Sequence, residues 1–260
     1  MDRLWDIDEG SGPLVASAIH DGHALREDVG EHILIGEDVR LREEDPFTGA
    51  WTSVADTRIV PRYSRFQVDL NRPRERAVYM TSDDAWGLEV WKSAPPADVV
   101  ARSLEEHDAF YDTMQRLLTG ISERNGCFVV LDLHSYNHRR EGPNGAPADP
   151  DANPEVNIGT GTMNTEKWRP LVDRFVDDLR SYDFMGRRLD VRENVKFRGG
   201  YFSRWIHEAF RDTGCALAIE FKKFFMDEWT GELDESQHDA IQHFLQATVP
   251  GLTETLARIP

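Results

Sequence analysis

Cysteine, positive charge and long apolar runs are all scarce in this chain, and each scarcity excludes something. There are 2 cysteines in 260 residues. That is too few for a disulfide-stapled scaffold, and a chain of this length can bury roughly three quarters of its unfolded surface without staples. Cys127 and Cys215 each lead into an apolar, strand-like run, so a reduced, buried pair in a cytoplasmic protein is expected. Lys+Arg total 30 against 47 Asp+Glu, a formal net charge of −17. Nucleic acid and anionic membrane both need a surplus of cations on the contact face, so neither is expected as a partner. No apolar run approaches the ~18 residues of a spanning helix. The opening MDRLWDIDEG has neither the basic region nor the apolar core of a secretory leader. With 40% hydrophobic and 30% charged residues, and with no repeat or interdomain linker, the chain reads as one globular domain over residues 1–260.

Short apolar runs recur at 13–20 (PLVASAIH), 57–61 (TRIVP), 66–70 (FQVDL), 127–133 (CFVVLDL) and 216–221 (ALAIEF). Runs as continuously apolar as FVVLDL suit strands covered on both faces. Between them, residues 96–120 carry Val99, Leu104, Phe110, Met114, Leu117 and Leu118 at three- and four-residue spacings, with Gly120 as the expected stop. Residues 165–179 repeat the pattern, with the regular helix expected from Pro170, and 234–257 is a third helical stretch. This alternation predicts an α/β domain with a mixed, mostly parallel sheet flanked by helices. Residues 137–153 (NHRREGPNGAPADPDAN) lack any large apolar residue and form a long surface loop after a strand end.

The chemistry clusters at strand ends. LDLHSY (131–136) puts His134 at the carboxyl edge of a buried strand, where such sheets bind ligands. His20 ends another apolar run, and Gly22 lets the chain turn sharply beside it. Either histidine alone would more often be structural. Two of them, with the acidic cluster Glu43-Glu44-Asp45 between, point to a metal, since imidazoles plus one carboxylate are the usual donors of a hydrolytic zinc site. Glu220 lies inside the apolar AIEF. It is either a strand-end ion pair with Lys222 or Lys223, on what would be a solvated edge, or a general base whose pKa is raised by its surroundings; the latter is preferred. Residues 58–76 reverse the global charge, with six arginines against Asp69 and Glu75. Guanidinium forks bind carboxylates, although about half of these arginines are expected on a solvated edge; DLNRP (69–73) is the part assigned to substrate. VNIGTGT (156–162) lacks the lysine of a nucleotide-binding loop. FRGGYFSR (197–204) is either an ordinary turn or a place of close backbone approach to a ligand. His107 reads as a core histidine, and His32, His207, His238 and His243 carry no functional signal.

In their order, AIHDG (18–22), YSRFQVDLNRP (63–73), LDLHS (131–135), VNIGT (156–160), FRGGYFSR (197–204) and IEFKKFFMDE (219–228) resemble the N-formylglutamate amidohydrolase family, relatives of the zinc carboxypeptidases. The likeness spans about 15–228 and implies a zinc-carboxypeptidase-like, phosphorylase/hydrolase-like α/β fold with one Zn2+ per chain. By it, His20 and His134 match the metal histidines. An acid of the 43–45 cluster supplies the third ligand, taken as Glu44 ahead of Asp45, with His23 as rival. Glu220 matches the catalytic acid/base, and Asn71 with Arg72 matches the clamp for a substrate carboxylate, aided by Arg65 or Arg204. The implied reaction is hydrolysis of an N-acyl amino acid, a small anionic substrate such as N-formylglutamate. A peptidase or deacylase, and a non-catalytic carboxylate binder, are the alternatives. Two departures from pattern mark the acidic ligand: His23 stands where carboxypeptidases have Glu, and EEDPF (43–47) replaces a D-x-D-W type motif.

Overall fold

The computed structural model describes residues 3–259. Seven strands form one sheet: β1 (Trp5–Asp8), β2 (Leu14–Ser17), β3 (Thr57–Pro61), β4 (Phe128–Tyr136), β5 (Val156–Gly159), β6 (Val191–Glu193) and β7 (Gly214–Lys222). Their order is β1-β3-β2-β4-β7-β5-β6. The β1–β3 and β5–β7 pairs are antiparallel and the other pairs parallel, which is the mixed, mostly parallel sheet expected. The longest strands, β4 and β7, lie side by side in its middle and are buried almost throughout.

Strand alternation divides the core. Val129, Leu131 and Leu133 of β4 and Leu217, Ile219 and Phe221 of β7 pack on one face, under α5 (Thr165–Ser181), α7 (Glu235–Gln246) and α8 (Val249–Leu256). Phe128, Val130 and Ala216 face the other way, toward α4 (Ala97–Asn125) and α6 (Tyr201–Ala209). Asp132, His134 and Glu220 share the parity of that second face. The short helices α1 (Glu27–Gly30), α2 (Glu37–Glu43) and α3 (Thr48–Trp51) fill the link from β2 to β3.

Several elements differ from the sequence pattern. The helix predicted to stop at Gly120 runs on to Asn125, where Gly126 turns the chain at φ +79°. A helical glycine costs about 1 kcal/mol relative to alanine, whereas burying Ile121 one residue later returns roughly 2–3 kcal/mol. Likewise α5 starts at Thr165 and not at Pro170, because Asn164 caps it by accepting from Lys167 N–H and Trp168 is already buried in the first turn. Residues 66–70 form a turn, not a strand: the alternation of Phe66, Val68 and Leu70 with Gln67 and Asp69 mimics a strand, but the two polar residues are buried against Arg26, Glu106, His20 and Arg65, and the Gln67 N–H closes a turn on the Ser64 carbonyl. The 234–257 stretch breaks into α7 and α8, while of residues 197–204, read as either a turn or a close approach to a ligand, 201–204 open α6. Cys215 is buried but Cys127 only half so, and both thiols are free. Among the described residues no helix is long and apolar enough to cross a membrane.

Candidate active site

At the carboxyl end of the sheet's middle strands lies a cavity of about 240 Å³. β4 delivers His134 and β7 delivers Glu220, directly paired in the parallel register. His20 follows β2 in a turn, and its carbonyl accepts the Asp45 N–H at 3.0 Å, so the backbone joins the two segments. The Nδ1 atoms of both histidines point at one carboxylate oxygen. His134 Nδ1 is 3.0 Å and His20 Nδ1 3.4 Å from Asp45 Oδ2. The opposite ring atoms face other buried acids: His20 Nε2 is hydrogen-bonded to Asp69 Oδ1 at 2.7 Å, and His134 Nε2 is 3.2 Å from Asp132 Oδ2, though not aligned for a hydrogen bond. Asp132 is itself fixed by the hydroxyls of Ser17 and Ser203, at 3.0 and 3.1 Å.

Donor atoms of His20, Asp45 and His134 all lie within 4.8 Å of one another, and all three residues are buried. Two nitrogens and one carboxylate oxygen, with imidazoles oriented by further carboxylates, fit a zinc ion. The electrostatics agree. Burial opposes charge on His134, yet Asp132 and Asp45 hold its pKa well above the ordinary value, and the two histidines hold Asp45 low against its own burial. A site that gathers this much negative charge favours a cation.

Glu44 is not part of this group. Its carboxylate is buried on the far side of the segment, where it accepts from the Ser64 hydroxyl and lies 2.5 Å from His23 Nδ1. The expected acidic ligand and its rival thus bond to each other, away from the cavity. Glu44 is extended at the end of α2, so its side chain points away from the cavity that Glu43 and Asp45 line, and of those two Asp45 is the one that meets the histidines.

Burial, opposed by the His134 charge, pushes Glu220 up to about 7. Neither lysine pairs with it. Lys223, expected on a solvated edge, is fully buried and donates to the carbonyls of Arg42 and Glu44 at 2.6 and 2.7 Å, bracing the segment that carries Asp45. Burial lowers its pKa to about 8.

The arginine-rich segment divides by position. Arg58, Arg62, Arg74 and Arg76 pair with acids at the surface, while Arg65 and Arg72 line the cavity. Arg65 donates to Asp69 at 2.9 Å and lies 4.8 Å over the Trp86 ring. Arg72 donates to the Asp84 carbonyl at 3.1 Å. Asn71 Oδ1 accepts the Phe202 N–H at the start of α6, so its amide nitrogen is the end left for a ligand. Arg204 is displaced from its expected place: it is exposed on α6, 5.3 Å over Tyr201, and does not line the cavity. Sequence reasoning passed over Asp132 and Arg140, and it gave no role of their own to Asp69 (within the DLNRP segment assigned to substrate), Arg198 (within FRGGYFSR) or Lys223 (weighed only as a partner of Glu220). Period-two alternation from His134 would have found Asp132.

An α/β sheet with a buried His–Asp–His group and a carboxyl at its carboxyl edge defines a hydrolase-type site. The chain belongs to the N-formylglutamate amidohydrolase family, whose model matches residues 12–226. Among solved structures, an N-formylglutamate amidohydrolase from Ralstonia eutropha JMP134 superposes with TM-score 0.72 at 19% identity, covering 98% of each chain. A gene product of Agrobacterium tumefaciens does so with TM-score 0.67 at 18% identity, covering 97% of this chain and 96% of that one. A metallo-carboxypeptidase from Burkholderia cenocepacia reaches only 0.37 at 14% identity, over 93% of this chain and 56% of that one, too loose a likeness to bear on function. No match was found among curated proteins.

Proposed function

We propose that this protein hydrolyses the amide bond of a small N-acyl amino acid, with N-formylglutamate the best-fitting substrate and one zinc ion as cofactor. The observation that carries the reading is the convergence of His20, Asp45 and His134 beside a Glu220 carboxyl poised near neutrality. His20 Nδ1, His134 Nδ1 and Asp45 would hold the metal, which supplies Lewis-acid polarisation of the acyl carbonyl and acidifies water. Glu220 takes a proton from the attacking water and returns it to the leaving nitrogen, so that one water is consumed and an acid and a free amine are released. The guanidinium groups of Arg65 and Arg72, with the Asn71 amide, fix a substrate carboxylate and so orient the scissile bond. The cavity of about 240 Å³ is below the ~300–1,000 Å³ usual for drug-sized ligands, which favours a small metabolite over a peptide. The free thiols Cys127 and Cys215 support a reducing compartment such as the cytoplasm.

Glu220→Gln tests the reading. It should keep the metal content of the wild type and lose about 10²–10⁴-fold in turnover of N-formylglutamate. Wild-type turnover by that variant would remove Glu220 from the mechanism, and formate release from no N-formyl amino acid by the zinc-loaded wild type would remove the reaction.

A further inference from the structure

Five cationic side chains and four carboxylates line the cavity, and four of the five cations already have protein partners. Arg65 bonds Asp69, and Arg72 bonds the Asp84 carbonyl. Arg140 lies 3.1 Å from Glu43, and Lys223 is spent on two main-chain carbonyls. Arg198 differs: among the described residues its guanidinium makes no hydrogen bond and no ion pair.

Its backbone, by contrast, is tightly held. The Arg198 carbonyl accepts the Gly161 N–H at 2.8 Å, and a Cβ at Gly161 would come within 2.8 Å of the Arg198 Cβ. Gly199 takes φ +105°, open to few residues but glycine. Asn71 ties down the next turn by accepting the Tyr201 and Phe202 N–H groups. Three separate motifs of the sequence, DLNRP, VNIGTG and FRGGY, thus meet to fix the chain at one unpaired arginine. A fixed backbone reduces the entropy lost when the side chain engages a ligand.

We infer that Arg198 binds the second carboxylate of the substrate, the one not held by Arg65 and Arg72, and that it thereby selects N-acyl derivatives of dicarboxylic amino acids over those of neutral ones. The inference rests on the amide-hydrolase reading for its substrate class, but the binding step can be measured without turnover. A guanidinium fork meets a carboxylate with two parallel hydrogen bonds, and an arginine with no internal partner gives up none to do so.

The test is isothermal titration of the full-length wild type and of Arg198→Ala with glutarate and with butyrate, which differ by one carboxylate. The wild type should bind glutarate at least about tenfold more tightly than butyrate. Arg198→Ala should lose about 10–100-fold in glutarate affinity and change butyrate affinity less than twofold, with an unchanged melting temperature. Arg198→Lys, which keeps the charge but not the fork, should fall between. Equal affinities of the wild type for the two ligands, unchanged glutarate binding by Arg198→Ala, or equal loss of both ligands would each overturn the assignment. If the titration behaves as expected while N-formylglutamate is not hydrolysed, the reaction reading fails and the dicarboxylate site stands.

Discussion

Glu44 and Asp45 are adjacent acids with opposite surroundings, and single substitutions should separate them. Asp45 faces two imidazoles in the cavity, at 3.4 and 3.0 Å, whereas Glu44 joins Ser64 and His23 outside it. Asp45→Asn should reduce zinc affinity by more than about 100-fold, beyond the ~10–100-fold typical of groups that only orient a ligand. Glu44→Gln should retain zinc affinity within a few-fold and lose about 2 kcal/mol of stability, as expected when a buried hydrogen-bonded carboxylate is replaced by an amide. Competition with a chromogenic chelator reads the first quantity and urea unfolding the second. The reverse pattern would mean that Glu44 is the ligand.

At the scale of the element, α6 is pinned to β7 by a histidine that has no catalytic part. His207 Nε2 accepts the Ala216 N–H at 2.9 Å, so its proton sits on Nδ1, 2.8 Å from the Thr162 hydroxyl. Burial lowers the pKa to about 4. In the unfolded chain the imidazole titrates near 6.5, so between about 4 and 6.5 the unfolded state binds more protons than the folded one. Stability therefore rises with pH through this window and falls as the solution is acidified. At pH 4.5 the loss from His207 amounts to about 2–3 kcal/mol relative to pH 7. His207→Gln, which cannot titrate, should show a smaller difference between those two pH values in urea unfolding. An equal difference in both proteins would assign the acid sensitivity elsewhere.

At the scale of the whole molecule, three carboxylates, those of Asp45, Asp69 and Asp132, are buried around two histidines, within a chain of net charge −17. A divalent ion bound only by the folded state stabilises it by about 4 kcal/mol at a thousand times its dissociation constant. For a chain this size that corresponds to about 10 °C in melting temperature. Chelation should lower the melting temperature of the purified protein by that order, added zinc should restore it, and Asp45→Asn should respond to neither. Insensitivity of the wild type to chelator would count against the metal independently of any assay of turnover.

The amino-acid sequence by itself determined the α/β class, the central strands carrying His134 and Glu220, and the helices beneath them. Apolar periodicity is a local property, and a continuous run such as FVVLDL has few ways to be satisfied except as a covered strand. It also brought His20, His134, Glu220, Asn71 and Arg72 into one group, because each stands at the end of an apolar run or in a motif around one. Only the tertiary structure decided which acid of Glu43-Glu44-Asp45 meets the two histidines, which arginines of residues 58–76 line the cavity, that Lys223 is buried under the Asp45 segment, and that Arg198, not Arg204, borders the cavity. These choices depend on the direction in which a loop side chain points. That direction is set by partners up to 181 residues away, as between Lys223 and the Arg42 carbonyl, and local spacing holds no record of them.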